Sequence, residues 1–88
     1  MRELEVTPEF RRRFKKLPQD IRHRTSDLIE VLRADVNDRR LDTKKLQGYS
    51  SPPLFRLRIG NFRLVYSFDR TTLTLHTVMD RKDVYRDR

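Results

Sequence analysis

The residue types able to do chemistry in this chain are few. Cysteine is absent, histidine occurs twice, and lysine plus arginine number 21 against 13 acids. No two carboxylates are spaced to converge on one point. No His-x-x-x-His pair or acidic cluster offers a metal site, and Gly48 and Gly60 are the only glycines, too few for a phosphate-cradling loop. His23 lies in a segment dense with charge and reads as a solvated side chain. His76 lies on a strand-like segment. What remains is basic and phenolic: Arg56, Arg58, Arg63, Arg81, Lys44, Lys45, Lys82, Tyr49 and Tyr85. A planar guanidinium binds phosphate through paired hydrogen bonds. The set therefore points to an anion as ligand, with no metal or cofactor expected.

Three of the arginines sit in "LFRLRIGNFRLVYSF", Leu54 to Phe68. Phe55, Leu57 and Ile59 alternate with Arg56 and Arg58. After Gly60-Asn61, Phe62, Leu64, Tyr66 and Phe68 alternate with Arg63, Val65 and Ser67. Period two predicts half-buried strands, and Gly at the first position of a two-residue loop suits a type II′ turn. That turn sets Ile59 opposite Phe62, Leu57 opposite Leu64 and Phe55 opposite Tyr66 on one apolar face. On the other face Arg58 falls opposite Arg63, an unfavourable pairing of like charges. Removing Arg63 is therefore expected to leave the fold intact or slightly stabilised. A phosphate clamp and the solvated face of a basic protein both fit this pattern, and the spacing alone leaves both open.

The elements that must hold this hairpin are legible around it. Leu4 and Val6 alternate with Glu3 and Glu5, a short first strand. Thr7-Pro8-Glu9 has the form of a helix start: a hydroxyl cap, Pro at the first turn and an early acid. Phe10, Phe14 and Leu17 follow at helical spacing, opposite Arg11, Arg12, Arg13, Lys15 and Lys16. Pro18 ends that helix and opens a second, with Ile21, Leu28 and Leu32 in line, running to about 35–37. From Asn37 to Pro53 the pattern is that of a loop. A third strand of the hairpin sheet spans Thr72 to Met79. An even turn at Arg70-Thr71 places Phe68 opposite Leu73, Tyr66 opposite Leu75, Val65 opposite His76, Leu64 opposite Thr77 and Phe62 opposite Met79. Strand, two helices, then an antiparallel meander is an α+β pattern: a helical hairpin on a three- to four-stranded sheet with a short carboxy-terminal segment.

At this length one domain, 1–88, is expected, with a thin core that buries only ~60–65% of the extended chain's surface. The formal net charge is +8 with 39% charged residues. Nucleic acid, or an acidic protein segment, is the simplest partner for such a charge. Membrane is disfavoured, because there is no long apolar run and no basic amphipathic helix with Trp. The amino terminus lacks the apolar core of a signal peptide, so a cytoplasmic protein is expected.

Three segments, "KKLQG", "LFRLRIGNFRLVYSF" and "RKDVYR", taken in order at this length and charge, resemble the RelE/ParE superfamily of toxins from toxin–antitoxin pairs. The resemblance covers essentially the whole chain. It implies a RelE-like fold, a cognate acidic antitoxin in a hetero-oligomer, and, for RelE-type members, cleavage of messenger RNA in the ribosomal decoding site. Carried over by position, it implies Arg56, Arg63, Arg81 and Tyr85 as catalytic residues. Arg58, Lys44, Lys45, Lys82 and the Arg11, Arg12 and Lys15 side chains of "RRRFKK" become RNA- or ribosome-binding residues. The chain departs from the family pattern at Leu54, where the best-known members carry lysine, and at Asp80, where many relatives carry histidine or lysine.

The implied reaction suits this composition. Cleavage needs the 2′-hydroxyl deprotonated, the phosphorane stabilised and the 5′-oxygen protonated. Arginine does not act as a base, but it stabilises a dianionic transition state, often the largest catalytic contribution. Tyr85 is the candidate for proton transfer. A site so poor in bases is expected to be slow on free RNA, and the resemblance implies that the ribosome supplies the alignment, which can lower a barrier by up to ~7–11 kcal/mol. Two alternatives stand beside this reading: a ParE-like inhibitor of DNA gyrase without RNase activity, and a non-catalytic RNA-binding module.

Overall fold

The computed structural model describes residues 1–81. Its elements are β1 (Glu3–Val6), α1 (Pro8–Lys15), α2 (Gln19–Ala34), β2 (Thr43–Ser50), β3 (Pro53–Ile59), β4 (Phe62–Phe68) and β5 (Thr72–Asp80). They form the α+β arrangement expected: two helices laid on one face of a sheet. The sheet has five strands in the order β1-β5-β4-β3-β2, and β1 runs parallel to β5 while the other pairs are antiparallel.

Local chemistry explains the helix boundaries. The Thr7 hydroxyl accepts the Phe10 N–H at 3.0 Å, capping α1, and donates to the His76 carbonyl at 2.7 Å, tying the cap to β5. Pro18 precedes α2, and Asp35, in extended geometry, ends it. Phe10 and Leu17 from the first helical segment, with Ile29 and Leu32 from α2, pack on Leu57, Ile59, Leu64, Tyr66, Leu73, Leu75 and Val78 of the sheet. All eleven side chains are buried. Phe55, Tyr66 and Phe68 form a ring cluster with centroids 5.2–6.3 Å apart, and Arg2 lies over Phe68.

The central hairpin has the expected register: Ile59 faces Phe62, Arg58 faces Arg63, Leu57 faces Leu64 and Phe55 faces Tyr66. Gly60 has φ +59° and no non-glycine residue described has positive φ, so the turn is type II′ rather than I′.

Two expectations are corrected. First, residues 43–50 form an edge strand, not a loop. Thr43 pairs with Leu57, Lys44 with Arg56 and Lys45 with Phe55, after which the register becomes irregular up to Ser50. This strand pairs on one side only, and most of its side chains are exposed, so it carries no apolar alternation to read. Lysines on such an edge discourage pairing with another chain. Second, β4 and β5 do not keep one register. Phe68 faces Leu73 and Tyr66 faces Leu75, but beyond a bulge Val65 faces Thr77, Leu64 faces Val78 and Phe62 faces Asp80. His76 is the extra residue. The bulge takes Val78 into the core at 1% exposure and leaves Met79 opposite Arg63. The apolar face is therefore completed by Val78, not by Thr77 and Met79.

Candidate functional site

The face of the sheet turned away from the helices carries Lys44 on β2, Arg56 and Arg58 on β3, and Arg63 on β4, placed together by the register of three strands. Arg56 lies beside Lys44 on one side and Val65 on the other; Arg58 lies beside Arg63. Arg81 follows the end of β5, where its N–H donates to the Asn61 carbonyl at 2.8 Å, so it stands next to the Gly60-Asn61 turn. Lys45 shares the opposite face with Phe55. Tyr85 and Lys82 lie outside the described residues.

The arginines are not equivalent. Arg63 is 2% exposed, and its Nη1 donates to the carbonyls of Gly60 and Phe62 at 3.1 and 3.0 Å. The side chain thus folds back over its own turn. Arg56 is 9% exposed, and its Nη1 donates to the Asp42 carbonyl at 3.2 Å. Arg58 has half of its side chain exposed. Arg81 is exposed. Two guanidinium groups are therefore held in the sheet and two reach solvent. The Arg58–Arg63 pair is thus not the fully exposed one expected, and the carbonyl bonds of buried Arg63, which offset the repulsion from Arg58, argue against the expectation that its loss leaves the fold untouched.

Asp42 is the residue that sequence reasoning missed. Its carboxylate lies 3.5 Å from Arg56 Nη1 and 3.5 Å from Arg58 Nε, and its carbonyl accepts the Arg58 N–H at 2.9 Å. It precedes β2, one position beyond the Thr43–Leu57 pair, and so falls across from Arg58. The signal was present only for a reader who recognised β2: Asp42 and Lys44 then alternate onto the arginine face.

The Tyr66 phenol and the His76 imidazole are both perturbed by burial. Tyr66, on the core side, has its pKa raised above 10 by burial, with a hydrogen bond to Thr43 and the charge of Arg56 acting the other way. It stays protonated and is no base near neutral pH. His76 Nε2 lies 2.7 Å from Ser67 Oγ, and burial lowers its pKa below 6.5. It is not opposite Val65 but at the bulge one residue earlier. Among the described residues no group of three His, Asp or Glu side chains is placed to hold a metal ion.

The expected cations of α1 occupy the other layer. Arg11, Arg12 and Lys15, with Lys16, Val6 and Pro8, line an open hollow of about 400 Å³ where α1 meets β1. The cations proposed for RNA contact are thus split between two surfaces, one on the sheet and one on the helical layer. No described helix is long and apolar enough to cross a membrane.

No family model matches the chain. A toxin named RelE3 from Methanocaldococcus jannaschii is 33% identical over 78 residues, covering 86% of each chain. The RelE chain fold of a RelB-RelE antitoxin-toxin complex from Methanococcus jannaschii superimposes with a TM-score of 0.78 at 27% identity, over 94% of this chain and 96% of that one. A toxin-antitoxin complex from Mycobacterium tuberculosis, RelBE2, matches with a TM-score of 0.73 at 26% identity, over 91% of this chain and 98% of the other. The isolated RelE toxin of E. coli shares the fold, with a TM-score of 0.74 at 17% identity over 99% of this chain and 94% of that one. Identity at this level, over this share of both chains and on the same five-stranded scaffold, places the protein: it belongs to the RelE toxin family.

Proposed function

We propose that this chain is the toxin of a type II toxin–antitoxin pair, a cytoplasmic, ribosome-dependent endoribonuclease that cleaves translated mRNA. The observation that carries the reading is the gathering of Arg56, Arg58 and Arg63 on one sheet face in a member of the RelE family. The reaction is attack of the 2′-hydroxyl on the adjacent phosphorus with departure of the 5′-oxygen. Arg56 and Arg63, held in the sheet, stabilise the charge that grows on the phosphorane oxygens. Arg58 and Arg81, which reach solvent, engage the incoming phosphate. Tyr85 is assigned the proton transfer. Lys44, Lys45 and Lys82, with Arg11, Arg12 and Lys15 on α1, contact RNA and ribosome; cations on two layers suit a protein inserted between nucleic-acid surfaces.

The partner is an acidic antitoxin. RelE chains in two of the similar structures are complexed with antitoxins, and a net charge of +8 favours a carboxylate-rich cover. The test is primer extension on a message translated in vitro, with and without the protein. New cleavage ends that require translation are expected, with little cutting of naked RNA. Intact messages in both lanes would overturn the enzyme reading, and inhibition of gyrase supercoiling beside intact messages would replace it with the gyrase one.

A further inference from the structure

We infer that Asp42 is a built-in competitor for the RNA phosphate, seated on Arg56 and Arg58 in the free protein and displaced when a phosphate binds. The inference rests on the phosphate-binding reading of this face. Three features support it. The Asp42 carboxylate is ion-paired to both Arg56 and Arg58 on the sheet face. Its carboxylate contacts are long, 3.5 Å each, and the side chain is 57% exposed, so little holds the anion in place. The support that Arg56 needs comes instead from the Asp42 carbonyl at 3.2 Å, and the same carbonyl takes the Arg58 N–H at 2.9 Å. Removing the carboxylate leaves both backbone contacts.

A phosphate that reaches Arg56 and Arg58 therefore meets a carboxylate already there. Either the side chain swings into solvent, or two anions share the site at a distance where they repel. In both cases the carboxylate weakens RNA binding and keeps the arginines from binding stray anions. Asp42 is on this account a positioning and competing residue rather than a catalytic one.

The experiment measures binding of a fluorescein-labelled single-stranded oligoribonucleotide by anisotropy, across a salt series, with the full chain. Asp42→Asn should bind about five-fold more tightly at low salt, the effect of one unit charge at ~4 Å in water, and the gain should shrink as salt rises. Asp42→Ala repeats the charge loss, so a folding defect in one variant does not remove the test. Glu30→Gln, on α2 and ion-paired to Arg33, changes the net charge equally at a distance. Tightening confined to the Asp42 variants and lost in the Arg58→Ala background supports the inference. Equal tightening in Glu30→Gln, or no tightening, overturns it. Should Arg56→Ala and Arg58→Ala leave RNA binding unchanged, the face is not the phosphate site and the proposed site falls with the inference. When those two variants weaken binding but Asp42→Asn does not strengthen it, only the inference falls.

Discussion

Arg58 and Arg63 stand opposite each other in the hairpin, identical in type and facing the same way, yet their removal should differ widely in its effect on stability. Arg63→Ala deletes a guanidinium that is 2% exposed and donates to two carbonyls, those of Gly60 and Phe62. Each such bond from a charged donor contributes ~1.5–3 kcal/mol. The cost of burying the charge, which disappears with the side chain, offsets part of this. A net loss of ~3 kcal/mol follows, and for a chain of this size ~4–8 °C per kcal/mol converts it to a fall of about 12–24 °C in Tm. Arg58→Ala removes a half-exposed side chain whose ionic partner lies at 3.5 Å and is itself 57% exposed. Exposed pairs contribute about 0–1 kcal/mol, and relief of the like-charge pairing acts in the other direction, so Tm should move by less than about 8 °C. Differential scanning fluorimetry on both variants gives the comparison directly. An Arg63→Ala protein that melts within a few degrees of the parent would show that the carbonyl bonds carry no weight and that the reasoning from burial is wrong. The same result fixes how activity is read: a toxin inactivated by Arg63→Ala has lost its fold margin as well as a charge, and Arg63→Lys, which keeps the charge, is the better probe of chemistry.

Thr7→Ala removes both the α1 cap and the bond to the His76 carbonyl and should cost ~1–2 kcal/mol, read as a lowered denaturant midpoint. Val78→Ala should cost ~2 kcal/mol because the bulge puts Val78 in the core at 1% exposure, whereas Met79→Ala, opposite Arg63, should cost less; equal losses would mean that the bulge is absent. Burial lowers the His76 pKa below 6.5 in the folded chain, so its contribution to stability is complete above 6.5, declines as the pH falls below that value and is lost once the lowered folded pKa is passed. A Tm-against-pH profile should show this decline, and His76→Gln should flatten it; a profile unchanged by the substitution would assign the pH dependence to other groups.

How much of this was visible in the sequence depends on what each residue had to reveal. The hairpin register followed from a two-residue loop and strict alternation, because a one-residue slip would have turned Leu57 and Leu64 to the wrong face. Helix starts followed from Thr7, Pro8 and Pro18, whose backbone preferences are local. The bulge at His76 was not legible. Leu75, Thr77 and Met79 alternate as well as any strand, and only the packing of Val78 against the helices selects the other phase. β2 was hidden for the opposite reason: an edge strand with most side chains in water needs no hydrophobic pattern. With β2 unread, Asp42 had no address, and the arginine face looked free of acids. The burial of Arg63 was equally invisible, since nothing in "GNFRL" says whether the guanidinium extends into solvent or bends back to the turn.

A face proposed to bind a polyanion has to collect positive charge without letting that charge push the strands apart, and the way this face does so bears on the proposed chemistry. Adding carboxylates would neutralise the arginines and repel the phosphate as well. Backbone carbonyls avoid that conflict. They accept hydrogen bonds from Arg56 and Arg63 and add no net charge of their own, so these contacts brace each guanidinium without weakening its field. The two arginines so held are those assigned to the transition state, where a preorganised charge is worth more than a mobile one because nothing has to reorganise during the reaction. In the proposed function the exposed Arg58 and Arg81 meet the RNA first, where reach matters more than rigidity. Asp42 combines the two devices, with its carbonyl bracing Arg56 and its carboxylate loosely covering Arg56 and Arg58. The alternation that puts leucine inward and arginine outward along β3 and β4 therefore builds the core and the cationic face from the same register, and a slip that damaged one would disperse the other.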